Sequence, residues 1–310
     1  MATALGLGLP QNRQYDHLGR DVPDVARTAE RIGYDSLWAY ERALFPEPAK
    51  QGLYGIPGMP WPDSYRSVAE PLVTLTLAAA VTEQVRLGTS VLVAPLHGPF
   101  QLAKALATLD AASGGRVVAG FGSGWSLDEY AAAGVKPFDE RGKVMDEVIE
   151  VCRAVWGPDP VTYDGGITRI TSAVVGPKPA RSIPILLAAG NKRALRRLVD
   201  HADGWLPLPT GVEQTAAQWR ELQELAAERG RTKPIQTVLR TNPQYTRKPY
   251  EGDDRAPFQG NAEQIVEDMT AYAGIGIEEI IVDFQEGTRD TQELKDVAAE
   301  VYEKARAAGV

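Results

Sequence analysis

Apolar runs alternate along the chain with stretches of helical periodicity. Residues 4–9 form an apolar run ended by Pro10. Asp21 and Pro23 then open a helix that carries Val22, Val25, Ala26, Ala29 and Ile32 at helical spacing, and Gly33 stops it. The same rhythm predicts strands at 36–40, 85–93 and 116–121, followed by helices at 67–82, 101–113 and 143–156. It continues with strands at 183–188, 204–208, 235–241 and 278–284 and helices at 192–201, 214–229, 262–273 and 291–307.

Eight such units predict parallel strands joined by crossover helices. Several strands are unbroken apolar runs, as burial on both faces requires. The expected fold is α/β, a closed (β/α)8 TIM barrel, which takes ~250 residues before insertions. The chain has 310 residues. Its extra length falls at 41–66, 125–141, 157–181 and 242–258. In the third of these, 161–163 and 168–170 are spaced to pair as a hairpin. No linker divides the chain, so residues 1–310 read as one barrel domain with loop insertions at the C-terminal face.

Composition narrows the chemistry. Lys and Arg number 33 against 41 Asp and Glu, a net charge of −8, which argues against a nucleic-acid partner. A 44% hydrophobic and 24% charged composition belongs to a globular chain, not a disordered one. The single cysteine, Cys152, excludes an internal disulfide framework, and His17, His97 and His201 form no metal-binding pair. No apolar stretch is long enough to span a membrane, and the first ten residues lack a signal peptide's basic start. The expectation is a cytoplasmic protein without metal, membrane or nucleic-acid partner.

The active site of a (β/α)8 barrel lies where its strands end. Residues 188–193, Ala-Ala-Gly-Asn-Lys-Arg, close a strand with a small-residue turn and start a helix with two cations. Free N–H groups there attract an anion, Gly190 permits close approach, and Lys192 and Arg193 oppose the helix dipole unless a negative ligand is present. A plain turn with Asn191 as N-cap accounts for the same residues. Residues 120–124, Gly-Phe-Gly-Ser-Gly, do not form a dinucleotide fingerprint. They either let a strand bend at the rim or bring backbone close to a flat ligand, and Trp125 directly afterwards favours the ligand. Glu41, Asp128, Glu129, Asp283 and Glu286 also fall near strand ends, but nothing in the spacing pairs two of them for glycoside hydrolysis.

Several motifs occur in a recognisable order: Gly33-Tyr34-Asp35-Ser36-Leu37-Trp38, Val85-Arg86-Leu87-Gly88-Thr89-Ser90-Val91, Ser113-Gly114-Gly115-Arg116, 120–125 and Ala202-Asp203-Gly204-Trp205. Together they resemble the luciferase-like monooxygenase superfamily, and within it the oxidoreductases that use the deazaflavin coenzyme F420. The resemblance implies a third strand that ends in a bulge with a non-proline cis peptide against the coenzyme ring, at Ser90-Val91. It places Ser123, Trp125 and Asp128 at the coenzyme and its phosphate on Gly190-Asn191. It also implies a homodimer. Many relatives carry an acid-histidine pair after the second strand. Here that stretch reads Tyr40-Glu41-Arg42, so Glu41 or Arg42 takes the histidine's place, or His97 approaches from the third loop.

The expected function is therefore hydride transfer between reduced F420 and a small organic substrate, with Glu41, Arg42 and His97 as catalytic candidates and 45–62 as a lid. The runner-up is a monooxygenase using reduced FMN and oxygen. A non-redox barrel, hydrolase or binding protein, is the distant alternative.

Overall fold

Short apolar segments separated by capped helices leave the backbone one economical solution, a ring of strands inside a ring of helices. The computed structural model describes residues 2–15 and 17–310. In chain order it contains β1 (Ala4–Gly8), α1 (Leu18–Ile32), β2 (Ser36–Ala39), α2 (Pro71–Ala79), β3 (Arg86–Thr89), β4 (Leu92–Val93), α3 (Pro99–Ser113) and β5 (Val117–Gly122). There follow α4 (Leu127–Ala133), α5 (Arg141–Trp156), β6 (Val161–Asp164), β7 (Arg169–Ala173), β8 (Ile185–Leu187), α6 (Lys192–His201) and β9 (Gly204–Trp205). The chain ends with α7 (Val212–Glu228), β10 (Gln236–Thr241), β11 (Gln244–Tyr245), β12 (Gln259–Gly260), α8 (Ala262–Gly274), β13 (Glu279–Val282) and α9 (Thr291–Ala307).

The parallel sheet runs β3-β2-β1-β13-β10-β9-β8-β5, and β5 returns to pair with β3. Eight strands thus close a TIM barrel, with β1 held between β2 and β13. Side-chain alternation sorts the residues. Leu37, Ala119 and Leu187 point to the helices, while Trp38, Val118, Leu186, Leu206, Val238 and Ile281 fill the inside. The Trp38 ring needs Gly88 beside it, since a Cβ there would fall 2.3 Å from the ring. Below it, Glu279 accepts from the Ser36 hydroxyl and the Trp38 indole and pairs with Arg86 at 2.7 Å.

Four elements depart from the sequence pattern. The strand that periodicity predicts over 85–93 breaks at Ser90-Val91, where the non-proline cis peptide implied by the family resemblance is present, and resumes as β4 on β5. The helix expected from Ser67 starts at Pro71, where a proline suits the first turn and the Glu70 side chain caps Val73 N–H. The strand expected over 204–208 ends at Trp205, since Pro207 follows with no N–H for the ladder. Within the second insertion, α4 is a helix where only a loop was expected. The hairpin expected at 161–170 is present as the antiparallel pair β6-β7, extending to Ala173. Among the described residues no helix is long and apolar enough to cross a membrane.

Candidate active site

The strands' C-terminal ends open into a cavity of about 280 Å3, partly covered by the 41–66 insertion. Its floor is Val91 facing Gly122. An added Cβ at Gly122 would lie 2.6 Å from Val91 Cγ2, so the small residue is what lets the broken third strand lie against β5. Ser90, Ser123 and Trp125 also line the cavity, as do Glu41 and Arg42.

Glu41 follows β2 and its N–H donates to Val91 O at 3.1 Å. Its carboxylate accepts from Val93 N–H at 2.6 Å through Oε2 and meets His97 Nε2 at 2.8 Å through Oε1. His97 stands behind Glu41 and does not line the cavity itself. Burial disfavours the charged imidazole, but the bond from Glu41, that carboxylate's charge and the charge of Glu70 outweigh it, so the His97 pKa lies above its ordinary value. The pair gives a proton a path from the cavity wall to a half-buried imidazole.

Arg42 is enclosed. Its guanidinium lies 4.8 Å from the Trp125 ring centre, 5.7 Å from Tyr65 and 5.9 Å from Trp61. Its Nε–H donates to Glu41 O at 2.9 Å. Nη1 stands 3.3 Å from Glu129 Oε2, close enough for an ion pair but not aligned as a hydrogen bond, and neither atom has another hydrogen-bond partner. Burial raises the Glu129 carboxyl above its ordinary range, against the pull of Arg42 and the Ala43 N–H.

Arg240, at the end of β10, crosses the barrel. It donates to the Ser90 carbonyl, pairs with Asp283 at 2.7 Å and bonds Asn242 at 3.0 Å, and its guanidinium covers the Tyr40 ring at 4.8 Å. Tyr40 in turn donates to Asn12. A single guanidinium therefore ties the cavity floor to the ends of β10 and β13.

The expected coenzyme residues divide into three groups. Ser90, Val91, Ser123 and Trp125 surround the cavity. Gly190 and Asn191 lie outside it on the turn after β8, next to the lining residue Ala188, and Asn191 caps Ala194 N–H at 3.0 Å. Asp128 was expected at the coenzyme, but its carboxylate accepts from Lys50 N–H at 2.9 Å and faces Lys50 Nζ at 3.5 Å, so it fastens the covering loop and does not line the cavity.

Sequence reasoning missed Arg240, Tyr54 and Tyr65 as site residues and weighed Glu129 only as one carboxylate of an unpaired set. A cation in the otherwise uncharged strand segment Thr237–Thr241 was one available signal. Ser126-x-x-Glu129 is another, a helix-start pattern in which the Ser126 hydroxyl accepts from Glu129 N–H. The aromatic residues of the Pro/Gly-rich loop carried no positional signal, because what they touch depends on the folded loop.

The model of the luciferase-like monooxygenase domain matches residues 8–306. Uncharacterized protein Rv0953c of Mycobacterium tuberculosis is 36% identical over 193 residues, 61% of this chain and 68% of that protein. The F420-dependent glucose-6-phosphate dehydrogenase of Amycolatopsis mediterranei is 30% identical over 190 residues, covering 60% of this chain and 53% of its own. Among solved structures, monooxygenase RslO1 from Streptomyces bottropensis shares the fold with a TM-score of 0.78 at 19% identity, over 99% of this chain and all of that one.

Proposed function

The chain belongs to the luciferase-like monooxygenase family, and from that membership we propose that it is an oxidoreductase using coenzyme F420 on a small organic substrate. The carrying observation is Gly190. Its φ is not left-handed, and a Cβ built there would meet nothing within 4 Å. Neither local geometry nor packing needs a glycine at this turn. Room for a phosphate over the free N–H groups of α6 gives it a reason. The 30%-identical F420-dependent relative supports F420 as the coenzyme.

The bound coenzyme supplies the hydride. The chain supplies the setting. Val91 and Gly122 offer a flat floor, the start of α6 offers N–H donors to the phosphate, and the 41–66 insertion excludes water from above. Glu41 Oε1 and His97 Nε2 hold a proton between them beside the cavity, where a substrate oxygen that gains a hydride on its carbon needs one.

The test is a titration. Purified protein quenches deazaflavin fluorescence at micromolar concentration and binds FMN more weakly. Tight FMN binding without deazaflavin binding selects the FMN monooxygenase, for which the family's own description and the fold of RslO1 speak. Binding of neither returns the barrel to a non-redox role. Gly190→Val, placed where the added side chain strains nothing, lowers coenzyme affinity about tenfold or more while the fold persists. Normal affinity in that folded variant refutes the phosphate position.

A further inference from the structure

We propose that the inner cavity takes a neutral, flat aromatic carbonyl compound and turns away phosphorylated or carboxylated ones. The inference rests on the redox reading for the role of the site and adds the class of substrate.

Charge is the first observation. The cavity is lined by two cations, Arg42 and Arg240, and by no lysine. Each faces a carboxylate, Arg42 that of Glu129 at 3.3 Å, where Nη1 makes no hydrogen bond, and Arg240 that of Asp283 at 2.7 Å. The other N–H groups of Arg240 go to the Ser90 carbonyl and Asn242. Glu41 is a third carboxylate and the one that lines the wall, with Glu129 and Asp283 behind the arginines, so two guanidiniums face three carboxylates. Protonating His97 only brings this balance to zero. A phosphate entering here would lose its water and find no uncompensated positive charge. Unspent positive charge sits elsewhere, on the outer turn, where Lys192 and Arg193 are exposed and make no ion pair among the described residues. The site thus separates an anion-accepting rim from a neutral interior.

The walls are the second observation. Tyr54 meets Trp125 edge to face at 5.4 Å, Trp125 packs on Trp61 at 4.7 Å, and Leu208 adds an apolar side chain to the lining. Such surfaces favour the face of a flat ring. A carbonyl oxygen on that ring needs a neutral donor, and Tyr65 lines the cavity with a phenol hydroxyl, which is neutral at physiological pH.

The experiment compares three probes on the wild-type protein by quenching of its tryptophan fluorescence: 1-tetralone, its anionic counterpart in size 2-naphthoate, and glucose 6-phosphate. Tetralone is expected to bind at least about tenfold more tightly than either anion. Glu129→Gln keeps an acceptor for Ala43 N–H but removes the charge facing Arg42, and is expected to raise naphthoate affinity relative to tetralone by about tenfold. Equal or tighter binding of glucose 6-phosphate or naphthoate to the wild type overturns the proposal, as does binding of none of the three. An unchanged naphthoate preference in a folded Glu129→Gln protein also overturns it. Should that variant not fold, the wild-type comparison decides. Tetralone binding in a protein that ignores deazaflavin would sink the redox reading and leave this one standing.

Discussion

His97 shows how one contact carries information about pH. Its folded pKa is raised, so protonated His97 favours the folded state. That contribution is complete below the unfolded value near ~6.5 and is lost as pH rises through the higher folded value. Replacing His97 with Gln should therefore cost more stability at pH 6 than at pH 8.5, by on the order of 1 kcal/mol for a partly exposed charged hydrogen bond. Urea unfolding of both proteins at the two pH values checks this, and an equal cost at both would mean that the pair contributes no charge-dependent stability. The residues Glu41, Arg42 and His97 were legible as candidates because they lie near strand ends where the resemblance implies an acid-histidine pair. Their division of labour was not. It takes the fold to put His97 behind Glu41 and to enclose Arg42 among aromatic rings, since these contacts join residues up to 87 positions apart, as Arg42 and Glu129 are.

At the level of elements, strands were readable wherever burial on both faces demanded an unbroken apolar run. Helices were readable wherever a cap and a periodic face coincided. Local signals misled where a stronger one stood nearby, as at Ser67, where the proline four residues on sets the helix start. The short α4 escaped because seven residues offer too little periodicity. The covering insertion is held from several sides. Ala43 N–H donates to Glu129, Lys50 N–H to Asp128, and the Gln51 amide to Trp125 O, while Trp61 contacts Phe45, Tyr65 and Trp125. Trp61→Ala removes the ring shared by these three contacts. We expect a local loss of roughly 2 kcal/mol, less than for a fully buried tryptophan. Limited proteolysis should then cut within 45–62 well before the barrel, and an unaltered cleavage rate would show that the hydrogen bonds alone secure the loop.

Across the whole molecule, the two ends of the barrel do different work. The C-terminal mouth holds the cavity, and the opposite end is closed by Glu279 with Ser36, Trp38 and Arg86. Glu279→Ala leaves those donors without their acceptor and should cost about 2–3 kcal/mol in global unfolding. Coenzyme affinity of the folded fraction should stay at the wild-type value, because the change lies a barrel's height from the mouth. A drop in affinity without a drop in stability would show that the two ends are coupled. The barrel itself was visible in the sequence as a count of strand–helix units, while its closure was not, because register between first and last strands leaves no local mark.

That closure has a consequence for how the protein is made. β1 leaves the ribosome before the barrel's other strands but pairs on one side with β13, the last of them to appear. Until residues 279–282 emerge, the nascent sheet has two open edges, β1 with Leu5 and Leu7 and β10 with Val238 and Leu239. Throughout most of its synthesis the chain is thus a curled sheet seeking partners, exposed to strand addition by its neighbours. A chaperone is most useful before β13 emerges, since that one short strand turns a sticky open sheet into a barrel with no edge to offer.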